Sequence, residues 1–348
     1  MVRPLLAVSM GDPAGVGPEV CVQTLGRADV FRLARPFVVG DVGVLQAATE
    51  VLGAKISPNR IDRPEVGRFE PGQIDVIDLA NVDRASVQWG QVSSAAGQAA
   101  YEYVIRAAEL VTSGQADALV TGPIHKEALN LAGHDYAGHT ELLAELTHTR
   151  SYAMMLAVGR LRVSHVSGHV SLRRACELAR RDRVLEVITL TDAALRRIGI
   201  DRPRLAVAAL NPHAGEGGLF GREEIEQIAP AVEHARRRGI DAEGPLPADT
   251  MMAKVAGGGY DAAVAMHHDQ GHIAVKLLGF AYDDRAEAWS TVRGVNVTLG
   301  LPIVRTSVDH GTAFDVAGRG VVNPSSMLDA IDWAVALAGG DVGKIRQT

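Results

Sequence analysis

The chain has 348 residues, a formal net charge of -6, and 47% hydrophobic and 22% charged side chains. This acidic balance leaves no basic face for neutralising a phosphate backbone, which excludes a nucleic-acid surface, and the length suits two domains better than one core. Only Cys21 and Cys176 are available as thiols, so a disulfide framework and a thiolate metal cluster are excluded and a reducing cytoplasm is expected.

LLAVSM at 5–10 is the first predicted strand, and Gly11-Asp12-Pro13 stops the run far below the roughly 20 residues of a membrane span, so no export signal or membrane anchor is expected. Similar short runs, bounded by Gly, Pro or Asp, predict strands at 36–41, 74–79, 117–122, 204–210 and 261–267. Between them, residues 94–114 place Ala96, Ala99, Ala100, Tyr103, Val104 and Ala107 on one stripe of a core-facing helix that stops at Gly114. Residues 152–170 give two β-like runs around Gly159, a hairpin signal. Arg236, Arg237 and Arg238 close a helix before Gly239, where cations suit the negative end of the dipole. Such alternation means an α/β fold with a mainly parallel sheet.

In open α/β sheets, ligands bind beyond the carboxyl ends of the strands. The segments there are GDPAGVGPE (11–19), PIHKEAL, GHTELLAEL (138–146), GHVSLRR, NPHAGEGGLFG and HDQGH. Five of these loops carry a histidine after an apolar run, a pattern that points to convergence on a divalent-metal site with open positions. If 261–267 is a strand, His267 and His268 point to opposite faces, so only one easily enters a shared cleft. The HDQGH segment is not a zinc-peptidase helix, because Asp269 replaces the glutamate and Gly271 weakens the helix. A helix start at Gly138, with His139, Thr140 and Glu141 following, suits an anion. Lys126, Lys276, Arg293 and Arg305 are the candidate cationic partners of an anionic substrate. Neither a G-x-G-x-x-G fingerprint nor a P-loop is present.

GDPAGVGPE, TGPIHK, GHTELL, NPHAGEGG, GPLPADT, HHDQG, RGVNVTLGLP and RTSVDHGTA occur together in order. In these motifs the chain resembles the 4-hydroxythreonine-4-phosphate dehydrogenase family of vitamin B6 biosynthesis over residues 5–335. The resemblance implies a two-lobed α/β/α sandwich like that of isocitrate and isopropylmalate dehydrogenases. Residues 1–130 and about 295–348 would form a nucleotide-side lobe, and about 131–294 a metal, substrate and dimerisation lobe. It also implies NAD and one divalent ion (zinc, magnesium or cobalt) held by His169, His213 and His268. Substrate contacts would be His139, Thr140, Lys276, Asn296 and Arg305. Cofactor contacts would be Asn296, Gly300, Leu301, His310, Gly311 and Thr312, with the loop His310–Gly318 near the adenine. The resemblance implies a homodimer with its active site at the subunit interface, so the metal histidines need not all come from one chain.

Two features depart from the biosynthetic pattern. AYDDRAEAWSTV (281–292) is an insertion between Lys276 and Asn296, and HHDQGHI and HGTAFDVAG resemble the branch acting on 4-phosphorylated sugar acids. The leading expectation is oxidation and decarboxylation of 4-phosphohydroxy-L-threonine to 3-amino-2-oxopropyl phosphate; the alternative substrates are 4-phospho-D-threonate and 4-phospho-D-erythronate. Asp249, Asp269 and Lys276 each qualify as the catalytic acid or base. Outside this class stand a metal-dependent hydrolase and a non-enzymatic phosphate- or metal-binding module.

Overall fold

The structure is a computed structural model that describes residues 3–284 and 288–341. Two units emerge, one formed by Met1–His148 and the stretch beginning at Pro302, the other by Thr149–Leu301. In the first unit the chain builds β1 (Leu5–Ser9), β2 (Arg35–Gly40), β3 (Ser57–Ile61), β4 (Gln73–Asp78) and β5 (Ala118–Thr121). The second unit holds β6 (Ala153–Val158), β7 (Leu161–His165), β8 (Arg204–Ala208), β9 (Asp241–Leu246) and β10 (Ala262–Ala265). It continues with β11 (Phe280–Asp283), β12 (Ala288–Val292) and β13 (Val295–Leu299) before the chain returns to the first unit with β14 (Arg305–Val308).

The first unit's strands run in the order β3-β4-β2-β1-β5-β14, every neighbour parallel. β1 sits near the middle and is buried along its whole length, which is why it reads as an unbroken apolar run. Helix Ser94–Thr112 packs across β1, β2 and β5. Ser93 starts it by accepting the Ala96 N–H, and the predicted stripe from Ala96 to Ala107 is buried. Gly97 lets a neighbouring segment cross closely, since a Cβ there would lie 2.0 Å from the Ala128 carbonyl oxygen. Residues 131–148, expected in the other lobe, belong to this unit. His134 ties them to the long helix by stacking on Tyr101 at 3.6 Å and bonding Gln98 at 2.8 Å.

The second unit's main sheet has the order β13-β6-β7-β10-β8-β9. The hairpin anticipated at Gly159 is β6–β7, and β13 adds antiparallel to β6; the rest is parallel. The insertion forms a separate two-stranded hairpin, β11–β12; its residues 285–287 lie outside the described residues. β10 is shorter than predicted. It ends at Ala265, and a helix begins at His268 with His267 at its N-cap. His267 and His268 are therefore not alternating strand positions. Among the described residues, no helix is long and apolar enough to cross a membrane.

Candidate active site

In the second unit, the carboxyl ends of β7 and β10 bring four imidazoles together. His165 closes β7, His169 follows in the next loop, and His268 and His272 occupy successive turns of helix His268–Gly279. His268 and His272 stack with ring centroids 3.5 Å apart and planes 13° from parallel. His165 lies 4.8 Å from His272, and His169 lies 5.4 Å from His268. Gly271 is what permits this helix here: a Cβ would lie 2.3 Å from His165 Nε2 and 2.7 Å from Val163 Cγ1. The glycine expected to weaken the helix instead lets it settle onto β7.

Hydrogen bonds fix these rings. His272 Nδ1 pairs with the His268 carbonyl at 3.0 Å, and His165 Nδ1 with the Met154 carbonyl at 3.3 Å. His268 Nδ1 meets Asp269 Oδ1 at 2.7 Å, which holds the Asp269 carboxyl below its usual range and orients the His268 ring. Burial pushes His165 down to about 3, with His272 adding to the effect, and pushes His272 down to about 4, with His268 adding to it. His165 and His272 are thus neutral near pH 7. A cavity of about 440 Å³ opens beside the cluster, lined by Gly168, His169, Ser171, His267, His268 and Asp269 among others.

His213 makes its ring contact elsewhere. It sits exposed in a left-handed stretch (φ 51°), its ring 6.3 Å from Phe220. Among the described residues, no three His, Cys, Asp or Glu side chains are grouped to hold a metal ion. Two of the three expected ligands, His169 and His268, meet at one cavity, and their donor chemistry suits a divalent ion. Glu224, which sequence reasoning missed, builds the His213 loop by accepting the Leu210 and Asn211 N–H groups at 2.9 and 2.8 Å. Burial pushes its carboxyl up, but these bonds and the Asn211 amide outweigh that and hold it low. Gly215 is required beneath it, because a Cβ there would lie 2.6 Å from Glu224 Oε2.

The remaining second-unit candidates separate clearly. Lys276 lies two turns beyond His268 on the same helical stripe, its Nζ 4.3 Å from the Phe280 ring centroid. Asn296, on β13, directs Nδ2 at Met154 Sδ (3.2 Å) and keeps a buried Oδ1 that makes no hydrogen bond. Asp249 is exposed and accepts the Thr250 N–H. Gly300 has φ +90° and packs on Ser151, where a Cβ would lie 2.2 Å from the carbonyl oxygen, and Leu301 is buried. Packing alone accounts for those last two.

In the first unit, Arg305 is 2% exposed, and one guanidinium nitrogen donates to Thr121 Oγ1 at 2.7 Å. Burial lowers its pKa to about 9 against the opposing pull of Glu141. His139 is held well below its usual range, first by burial and then by the Arg305 charge, and its buried Nε2 makes no hydrogen bond. His139 and Thr140 open helix His139–Leu146, whose N-cap, Gly138, offers no side-chain acceptor. A buried cation and an imidazole thus lie together at an uncapped helix start, an arrangement whose chemistry suits an anion. His310 Nδ1 bonds the Gly311 carbonyl, Gly311 faces open space, and the buried Thr312 accepts the Val16 N–H at 2.9 Å. Glu19 holds the end of this loop by accepting the Gly318 and Gly320 N–H groups at 2.8 and 2.7 Å. Neither Glu19 nor the buried Asp12 was singled out from sequence, although both lie in GDPAGVGPE.

In the second unit the imidazole cluster lies at the carboxyl ends of two neighbouring parallel strands, the place where open α/β sheets bind ligands. The chain belongs to the PdxA family: the family model "Pyridoxal phosphate biosynthetic protein PdxA" matches residues 32–334. It is 47% identical over 337 residues to the D-threonate 4-phosphate dehydrogenase of Salmonella typhimurium, covering 96% of this chain and 98% of that one. It is similar in structure to a 4-hydroxythreonine-4-phosphate dehydrogenase from Burkholderia phymatum (TM-score 0.81, 46% identity, 97% and 99% of the two chains). A protein of the same description from Klebsiella pneumoniae gives a TM-score of 0.82 at 43% identity, over 97% and 100% of the chains. As a member of this family it is a dehydrogenase, an oxidoreductase acting on a CH–OH group.

Proposed function

We propose that this chain is an NAD- and divalent-metal-dependent dehydrogenase that oxidises and decarboxylates a 4-phosphorylated 3-hydroxy acid, with D-threonate 4-phosphate as substrate. The observation that carries the reading is the buried Arg305 beside His139 at an uncapped helix start, a charge arrangement suited to a dianionic phosphate. The name of the Salmonella relative supports the choice of acid. A second reading, 4-phosphohydroxy-L-threonine, is supported by the descriptions of the two solved relatives.

A bound divalent ion would lower the pKa of the C3 hydroxyl, and a bound nicotinamide would accept the hydride from C3. His169 and His268 would hold the ion, with His213 supplied by a second copy of the chain; His213 is exposed beside Leu219 (74% exposed) and Phe220 (50%), as an intersubunit contact requires. Asp269 is engaged with His268, and Asp249 with its own helix start, so both serve orientation. Lys276 is left to hold the C1 carboxylate and to pass on the hydroxyl proton. When the C1–C2 bond breaks, CO2 leaves, the electron pair stays on C2, and a proton from Lys276 or water completes a phosphorylated hydroxyketone. In the first unit, His139, Thr140 and Arg305 would bind a phosphate, and the loop from His310 to Gly318 would take the adenine end of the cofactor.

The test follows the absorbance of reduced nicotinamide with purified protein, a divalent ion and each acid in parallel. Faster turnover of D-threonate 4-phosphate is the expected result, and a preference for 4-phosphohydroxy-L-threonine would replace it with the second reading. Chelation should abolish the signal and zinc, cobalt or magnesium restore it; no reduction of NAD with either acid and any of these ions would sink the proposal.

A further inference from the structure

His268, His272 and Lys276 recur every four residues along one helix, and Phe280, the first residue of β11, continues the spacing. The Lys276 ammonium is 4.3 Å from the centroid of the Phe280 ring, within cation–π range. Phe280 is itself braced. Trp289, from the opposite strand of the hairpin, meets it edge-on at 5.7 Å and meets Tyr282 in the same way at 5.3 Å, both with planes 74° apart. The hairpin is rooted on the helix: Arg293 N–H donates to the Gly279 carbonyl at 2.9 Å, and Gly279 has no room for a Cβ, which would lie 2.4 Å from the Arg293 carbonyl oxygen. Tyr282 (55%) and Trp289 (58%) remain substantially exposed, so core burial does not account for the aromatic cluster.

We propose that the inserted hairpin is a positioning device for Lys276, in which Trp289 braces Phe280 and the Phe280 ring holds the ammonium where a substrate carboxylate meets it. The inference rests on the role of Lys276 given above. Neither aromatic residue touches reacting atoms; both act through the lysine, and the insertion thereby tunes affinity for the acid end of the substrate. A ring face attracts a cation by about 0.5–2 kcal/mol. Leucine keeps the apolar volume but loses that attraction, whereas tyrosine keeps it.

The experiment compares Phe280→Leu, Phe280→Tyr and Trp289→Ala with the unaltered enzyme by two readouts. In steady-state kinetics, Phe280→Leu should raise KM for the phosphorylated acid about fivefold while KM for NAD stays constant, Trp289→Ala should raise it by less, and Phe280→Tyr should restore it. The second readout needs no turnover: brief acetylation, read by mass spectrometry, gives the labelling rate of Lys276 relative to Lys126 and Lys254 in the same sample. Phe280→Leu should raise that rate about threefold and Phe280→Tyr should not. Equal Lys276 labelling in the leucine variant and the unaltered protein, or tyrosine behaving like leucine, overturns the proposal. If the unaltered protein oxidises neither acid, the functional reading fails while the labelling still decides the positioning role.

Discussion

Gly271 is a position where one methyl group decides the local structure. Any Cβ there meets His165 Nε2 and Val163 Cγ1 well inside contact distance, so Gly271→Ala should lose about 1–3 kcal/mol through overpacking, seen as a lower urea midpoint. Asp12 offers a second test, through pH. It is fully buried, accepts the Ala14 N–H at 2.8 Å, and burial raises its carboxyl from 3.8 to about 6. Between those values the folded chain holds a proton that the unfolded chain has released, so the stability contribution of this group is greatest below pH 3.8. It declines as pH rises to about 6 and is constant above. Asp12→Asn does not titrate, so its stability relative to the unaltered protein should climb by on the order of 3 kcal/mol from pH 4 to pH 7. Urea unfolding at both pH values checks this, and a constant difference would refute the burial argument. Neither role shows in sequence, where Gly271 is only a helix-weakening residue and Asp12 only a turn residue.

Helix His139–Leu146 begins without a side-chain cap, which leaves its start open for the phosphate of the proposed substrate. Gly138 has an extended backbone (φ 168°) and room for a side chain, the nearest atom to a Cβ being 3.6 Å away. Gly138→Asp should therefore cap the helix, gaining about 0.5–1 kcal/mol, while its carboxylate competes with the phosphate and raises KM for the acid at least tenfold. A calorimetric scan and a substrate titration, moving in opposite senses, check both halves. Elements like this one were legible because their start signals are local, and the central strands because burial on both faces leaves short apolar runs. β3 and β9 escaped notice: SPNRI and DAEGPL are edge strands with polar or proline positions that edge pairing tolerates. The β10 boundary was misjudged because Met266 and His267 continue the strand-like pattern, whereas the helix cap that ends it depends on Gly271 meeting β7. His165 and His272 were missed as members of the imidazole cluster for the same reason: their meeting is set by contact between a strand and a helix distant in sequence.

Over the whole molecule, the proposed sharing of the metal ligands between two copies of the chain has a direct test. His169→Ala and His213→Ala should each abolish turnover, yet unfolding and refolding the two variants together should recover about a quarter of normal activity, because half of the dimers would be hybrids with one complete site of two. Recovery of none would place all three ligands in one chain or remove His213 from the metal. The motifs made the candidate residues legible, and the resemblance already implied a site shared between two copies; the contacts among the imidazoles were not legible, because they depend on how the chain folds back. The same connectivity has a consequence at the ribosome. The described second unit is one continuous stretch, whereas the first lacks its sixth strand until β14 has been synthesised. Until then the β5 edge is bare, Thr121 has no guanidinium to receive, and His139 has no neighbouring cation from Arg305. A nascent chain stalled just past Leu301 would thus expose the β5 edge, and the elongation step through Arg305 both pairs that edge and delivers the buried guanidinium to Thr121.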